Sequence, residues 1–296
     1  MFLLDTNVLY DVADAPFAAD LQRFQERGAD RSIELRFSPI AIIEVASRLA
    51  RDPARFEQLK QGARIFRDAG ALSLPDPEQR MREILSDGDV ARSLYSVWDD
   101  ILDTLAKAPD VEAFRRGYDD LASATRRAVK VDDLRSFRDG YEREFVADMH
   151  SIAIKFNPRY DKQVLRQKPV RLSQSERDAL GVFLTSPEWV DTFRAMLGER
   201  ANAPVPTDPG KLAVVDGKSE KFRAGYEWII RKLFVSGRHV KEGDKNDYND
   251  VHLLLHLSRF APADVVVTSD VLQSVVADVG GTRVLTLAAF AAQQLR

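Results

Sequence analysis

Cysteine is absent from the chain, so disulfides, thiolate zinc sites and cysteine nucleophiles are excluded together. Histidine is scarce, with four in 296 residues, which leaves carboxylate oxygens as the main supply of metal ligands. No run approaches the about 20 consecutive apolar residues that cross a bilayer. The opening Phe2, Leu3 and Leu4 meet Asp5 before a signal-like stretch develops. The expectation is a soluble, unprocessed, cytoplasmic protein with no membrane partner. Strong charge of one sign is lacking too: the formal net charge is -3, so a polyanionic partner has to be held by a local basic patch or by bound metal. Internal repeats and low-complexity tracts are missing as well. What the chain does have is a hydrophobic content of 45%, ample for a core at this length.

The two ends read alike. Phe2 to Leu4 is a short continuous apolar run, as expected of a strand buried on both faces of a parallel sheet. Val8, Leu9 and Val12 then take up helical spacing. A second strand is predicted over Ile33 to Phe37, followed by Ser38 as N-cap and Pro39 at the first helical position. Near the other end an apolar helix is predicted from about Asn246 to Phe260, then a strand at Val265 to Val267, a short helix, a strand at Arg283 to Leu287 and a final Ala-rich helix. Between the ends, from about Pro53 to Phe234, helical periodicity dominates with hardly a convincing strand. Trp98 with Ile101, Leu102 and Leu105, and Trp189 with Phe193, Met196 and Leu197, form apolar stripes that read as core. The predicted division is a discontinuous α/β core, residues 1–70 plus 236–296, interrupted by a helical insertion, residues 71–235.

Acids punctuate the α/β part. Asp5 stands where the first strand ends, and ligands of open parallel sheets bind at the carboxyl ends of strands. Glu44 lies among Ile40, Ala41, Ile43 and Val45, too apolar for an unpaired carboxylate. Asp247 and Asp250 are spaced to share a helix face, where like charges repel unless a cation lies nearby. Asp270 follows the Val265 strand. Each has a bland reading when taken singly: Asp5, Asp247 and Asp270 as turn or helix caps, Glu44 as an ion pair with Arg48, Asp250 on the favourable side of a helix dipole. Four separate elements delivering an acid to one edge of one sheet make coincidence the weaker account.

These residues resemble the PIN-domain nuclease family. The resemblance rests on Leu4-Asp5-Thr6-Asn7-Val8-Leu9, on Glu44 in the helix after the second strand, and on Asn246 to Leu253 opening an apolar helix. Val267-Thr268-Ser269-Asp270 and the closing Val284 to Phe290 complete it. It covers about 70 residues at the start and 55 at the end of the chain, and the helical middle departs from compact members. It implies a PIN-like, doubly wound parallel sheet flanked by helices, with a large all-α insertion. It also implies metal-binding and catalytic roles for Asp5, Glu44, Asp250 and Asp270, with Asp247 auxiliary and Asn7 or Thr268 as polar supports. The activity implied is metal-dependent endonuclease cleavage, with RNA favoured over DNA. A homodimer and an antitoxin-like protein are the protein partners left open, and the insertion is open to serving as lid, clamp or dimer surface.

The chemistry agrees with the residue types. A cluster of carboxylates suits Mg²⁺ or Mn²⁺, hard cations that prefer oxygen, and phosphodiester hydrolysis needs such an ion to offset phosphate charge and acidify water. His252 and His256 are spaced i,i+4, but His252 sits about 200° round a helix from Asp250, so both read as structural. Basic residues that could hold a nucleic-acid backbone form two groups: Arg159, Lys162 and Arg166, and Arg231, Lys232, Arg238 and Lys241. Their bland reading is a solvated helix face. Two other functions compete. A haloacid dehalogenase-type phosphatase needs a second Asp where Asn7 stands and leaves Glu44 idle. A catalytically inactive module that binds nucleic acid or protein would keep the fold but need no intact set of acids.

Overall fold

The computed structural model describes residues 1–14, 34–49, 52–86, 97–124, 134–159, 161, 172–235, 251–257, 264–268 and 283–294. The first strand, β1 (Phe2–Leu4), leads into helix α1 (Thr6–Asp14), and β2 (Leu35–Phe37) leads into α2 (Pro39–Leu49). Ser38 caps α2 as its sequence predicts: its Oγ accepts from the Ile40 amide at 3.3 Å, with Pro39 following at a position that needs no amide hydrogen. A single 3₁₀ turn (Pro53–Arg55), α3 (Phe56–Asp68) and a two-residue strand, β3 (Leu72–Ser73), come next. Six helices follow: α4 (Pro77–Leu85), α5 (Val97–Lys107), α6 (Val111–Ala124), α7 (Leu134–Phe156), α8 (Gln174–Leu184) and α9 (Pro187–Ala201). The long α10 (Pro209–Val235), β4 (Val265–Val267), β5 (Arg283–Leu285) and α11 (Leu287–Gln294) complete the described elements.

The strands form one all-parallel sheet in the order β3-β2-β1-β4-β5. From β1 the chain builds outward through β2 to β3, then returns to the other side of β1 for β4 and β5. The strand order therefore reverses between β1 and β4, and the carboxyl ends of those two strands flank the crevice where open parallel sheets bind ligands. In register, Leu4 lies opposite Phe37 on one side and Val267 on the other. Asp5 and Thr268, each one residue further on, thus emerge side by side.

Alternation along the strands feeds two cores. Leu3 and Val266 point into a cluster that includes Met81, Trp189, Phe193, Phe222 and Tyr226. Leu4, Phe37, Val265 and Val267 point the opposite way, into a cluster with Leu9, Ile42, Phe66, Ile101 and Phe114. Helices cover both faces, and the fold is α/β and mostly helical. The two aromatic stripes read as core largely follow this plan: Trp189 and Phe193 are essentially inaccessible and Ile101, Leu102 and Leu105 buried, while Trp98 and Met196 are only partly buried at the edges of their clusters.

Three sequence readings are corrected. β3 occurs at Leu72–Ser73, inside the stretch expected to hold hardly a strand. It is two residues long with Leu72 39% exposed, so it carries no apolar run. It is held by pairing with β2 and by the Asp99 carboxylate, which accepts from the Ser73 amide at 2.7 Å. The last strand ends at Leu285, not Leu287, because Thr286 caps α11: its Oγ1 accepts from the Ala289 amide at 3.1 Å. The helix expected to reach Phe260 ends its described α-helical part at residue 254. There the backbone tightens, the amides of Leu255, His256 and Leu257 each bonding the carbonyl three residues back.

Candidate functional site

Asp5 is placed by backbone pairing. Its amide donates to the Val267 carbonyl at 3.0 Å, extending the β1–β4 ladder by one residue, and its carbonyl accepts from the Val8 amide at 3.2 Å as α1 begins. Asp5 therefore does serve the helix start, the bland role its position allows. Its side chain is nonetheless held for more: Oδ1 accepts from the Thr6 amide at 2.7 Å and Oδ2 from the Thr268 hydroxyl at 2.9 Å. Thr268 is 1% exposed and sits directly past β4, so 263 residues of separation close into one contact.

Glu44 reaches the same place from α2. Its neighbours Ile43 and Val45 are buried, while Glu44 itself is part-exposed. Its Oε2 accepts from the Thr6 hydroxyl at 2.6 Å. Thr6 is 5% exposed and donates twice, through its amide to Asp5 and through its hydroxyl to Glu44. The two acids, 39 positions apart in the sequence, are thus tied by one residue at the switch point of the sheet. Short bonds to charged acceptors of this kind are about twice as strong as neutral ones.

Thr6 is the residue that sequence reading passed over. Its neighbour Asn7, expected to support the acids, is half-buried and makes no side-chain hydrogen bond among the described residues. Helical geometry explains the exchange: Thr6, the first residue of α1, faces α2, while Asn7 is turned about 100° away. The other expected support, Thr268, contacts Asp5 as stated above. Asp247, Asp250 and Asp270 lie outside the described residues, as do Lys162, Arg166, Arg238 and Lys241. The described members of the two basic groups make other contacts. Arg231 lines a groove of about 510 Å³ with Gln174, Arg177, Asp178, Val182 and Thr185. The Lys232 ammonium stacks over the Trp228 ring at 4.8 Å, and Arg159 is exposed, its amide bonded to Asn157 Oδ1 at 3.0 Å.

One helical turn beyond the acids, a second layer stands on the same two helices. Tyr10 follows Thr6 by four positions on α1, and Arg48 follows Glu44 by four on α2. The Arg48 guanidinium lies over the Tyr10 ring, 5.2 Å from its centre, instead of making the expected ion pair with Glu44. Arg55, from the 3₁₀ turn, approaches the same ring at 5.5 Å. Burial pushes the Tyr10 phenol above its ordinary range, with Arg48 and Arg55 drawing it down and the Glu44 carboxylate adding to the rise. Glu44 is therefore close enough for its charge to be felt at Tyr10.

The donor set is oxygen only. Mg²⁺ is commonly bound through one or two carboxylates, its remaining positions filled by water and substrate phosphate, and Asp5 with Glu44 fit that pattern. Among the described residues no three His, Asp or Glu side chains gather as a complete metal cage. His252 and His256 are not part of the site. Both are buried among apolar side chains, and burial drives both imidazoles toward the neutral form, His256 to a pKa of about 3. No helix of the described residues is long and apolar enough to cross a membrane. No family model matches the sequence, and no curated protein or solved structure matches it either.

Proposed function

We propose that this protein is a divalent-metal-dependent nuclease that cleaves phosphodiester bonds, with RNA favoured over DNA as substrate. One observation carries the reading. Asp5 and Glu44, from separate parts of the chain, are held together through Thr6 at the carboxyl edge of a parallel sheet, where its strand order reverses. The resemblance to PIN-domain nucleases supports it and assigns Asp250, Asp270 and the auxiliary Asp247 to complete the acidic set. In this reading Asp5 and Glu44 hold Mg²⁺ or Mn²⁺ through carboxylate oxygens, and Thr6 and Thr268 fix the direction in which those oxygens point. The bound ion supplies charge to offset the phosphate and to lower the pKa of water.

Labelled single-stranded RNA, single-stranded DNA and duplexes, incubated with Mg²⁺ or Mn²⁺ and then with EDTA, test the reading. Cleavage of RNA with either ion, silenced by EDTA and by Asp5→Asn or Glu44→Gln in folded protein, is the expected result. Metal-independent cleavage, or full activity in both variants, would reject it. Binding of RNA without cleavage under every metal condition would instead favour an inactive nucleic-acid-binding module of the same fold.

A further inference from the structure

A nuclease site built from carboxylates repels the strand it must cut, and the bound ion offsets that repulsion only at the scissile phosphate. The neighbouring phosphates need cations of their own. Two gather around Tyr10, four positions beyond Thr6 on α1. Arg48 and Arg55 come from different elements yet both approach the ring of Tyr10, at 5.2 and 5.5 Å from its centre. Both arginines are exposed, whereas Tyr10 is only 5% exposed. Arg55 has an ion pair with Asp52 at 3.6 Å, both partners about half exposed, which contributes little in water. Arg48 forms no ion pair among the described residues and has Tyr10, its ring and its hydroxyl, as its contact there. Two like charges drawn to one ring favour a nearby anion, and both groups offer planar donor forks to a phosphate.

The Tyr10 ring is buried and so held in place. The Tyr10 carbonyl accepts from Gln58 Nε2 at 3.3 Å, and the Arg48 guanidinium is the polar neighbour of its buried phenol hydroxyl. We propose that Arg48 and Arg55 form a phosphate clamp for the nucleic-acid strand, with Arg48 one helical turn from Glu44 on α2 and Tyr10 as the positioning residue that aims both guanidinium groups. The clamp deepens the nuclease reading and rests on it for the identity of the strand. It assigns a substrate-gripping role to residues within the α/β part of the chain, apart from the basic groups at Arg159 and Arg231.

The test is the salt dependence of binding to a labelled single-stranded RNA oligonucleotide, measured in EDTA so that metal-dependent cutting is silent. Each phosphate released from a single strand changes the slope of log affinity against log salt by about 0.7. Changing Arg48 and Arg55 together to Gln should therefore flatten the slope by about 1.4 and lower affinity on the order of tenfold or more at moderate salt. The Arg48→Lys, Arg55→Lys pair keeps the charges and should keep the slope, while losing affinity with the forked geometry. Should the double Gln variant fail to fold, Arg48→Gln alone should flatten the slope by about 0.7. An unchanged slope in a Gln variant that melts like wild type would overturn the clamp, because a purely structural stack would alter melting and leave the slope alone. Wild type that cuts RNA while the slope ignores both arginines removes the clamp only. An arginine-dependent slope in a protein that never cuts removes the nuclease reading and leaves the clamp standing.

Discussion

Thr6 joins two carboxylates through two different donors, and its value depends on the hydroxyl alone. Thr6→Val keeps shape and burial but leaves Glu44 without its 2.6 Å bond. Losing a hydrogen bond to a charged group costs about 1.5–3 kcal/mol of stability, and losing an outer-shell support of a metal site typically costs about 10–100-fold in activity or metal affinity. Thr6→Ser, which restores the donor, should recover most of both. Melting temperature and initial cleavage rate on the three proteins check this, and full activity in the Val variant would show that Glu44 needs no such holding. His256 makes the opposite kind of contribution. Both its ring nitrogens are buried without a hydrogen-bond partner among the described residues, and its pKa falls from 6.5 to about 3 because burial and Arg80 disfavour the cation. In this range the unfolded chain binds the proton first, so stability present above pH 6.5 is lost as pH falls toward 3, at up to about 1.4 kcal/mol per pH unit. His256→Leu should match or exceed wild type at neutral pH and lose less stability on acidification, as followed by denaturant titration from pH 7 to 4. These residue roles were only partly legible. Asp5 stood out at the end of β1 and Glu44 by its apolar surroundings, whereas the Thr6–Glu44 bond spans 38 positions and exists only because α1 and α2 pack together.

At the scale of elements, the site depends on how closely α1 is held. Helix α3 crosses it at Gly62, where an added Cβ would stand 2.0 Å from the Leu9 carbonyl oxygen. The obstacle is backbone, so no side chain can turn aside. Gly62→Ala should therefore destabilise the protein by at least the about 1–3 kcal/mol typical of overpacking, despite the higher helix propensity of alanine. Because α1 carries Thr6 and Tyr10, the proposed nuclease reading expects cleavage to fall along with the melting temperature. A neutral Gly62→Ala would mean that the two helices can part without consequence. Element identity was readable where one local rule decided it. β1 and β4 are uninterrupted apolar triplets, and Ser38-Pro39 is a helix start by composition alone. β3 obeys no local rule: Leu72 is exposed and Ser73 is polar, and the strand exists through Phe37, Asp99 and the edge of the sheet. The early end of the segment at residue 254 was equally hidden, since its apolar side chains favour continued burial whichever way the backbone turns.

Across the whole molecule, the helical middle is bound into the sheet from both sides. Leu3 and Val266 lie in one core with Met81, Phe193 and Tyr226, while Leu4 and Val267 lie in the other with Ile101, Phe114 and Tyr118. Adjacent residues of one strand thus anchor helices from residues 77–234 on opposite faces. Polar links reinforce the helical layers: Arg200 pairs with Asp148 at 2.5 Å, and the Trp189 indole donates to Glu227 at 2.7 Å. Burial raises the pKa of both acids against the pull of these partners. An insertion that folded by itself would melt separately from its host. Cores that share β1 should instead melt together, giving one calorimetric transition that coincides by near- and far-ultraviolet circular dichroism. Leu3→Ala, which opens a cavity in one core only, should cost about 2–5 kcal/mol and shift that single transition intact. Two resolved transitions, with only one displaced by Leu3→Ala, would show that the helices of the middle segment stand as a unit of their own.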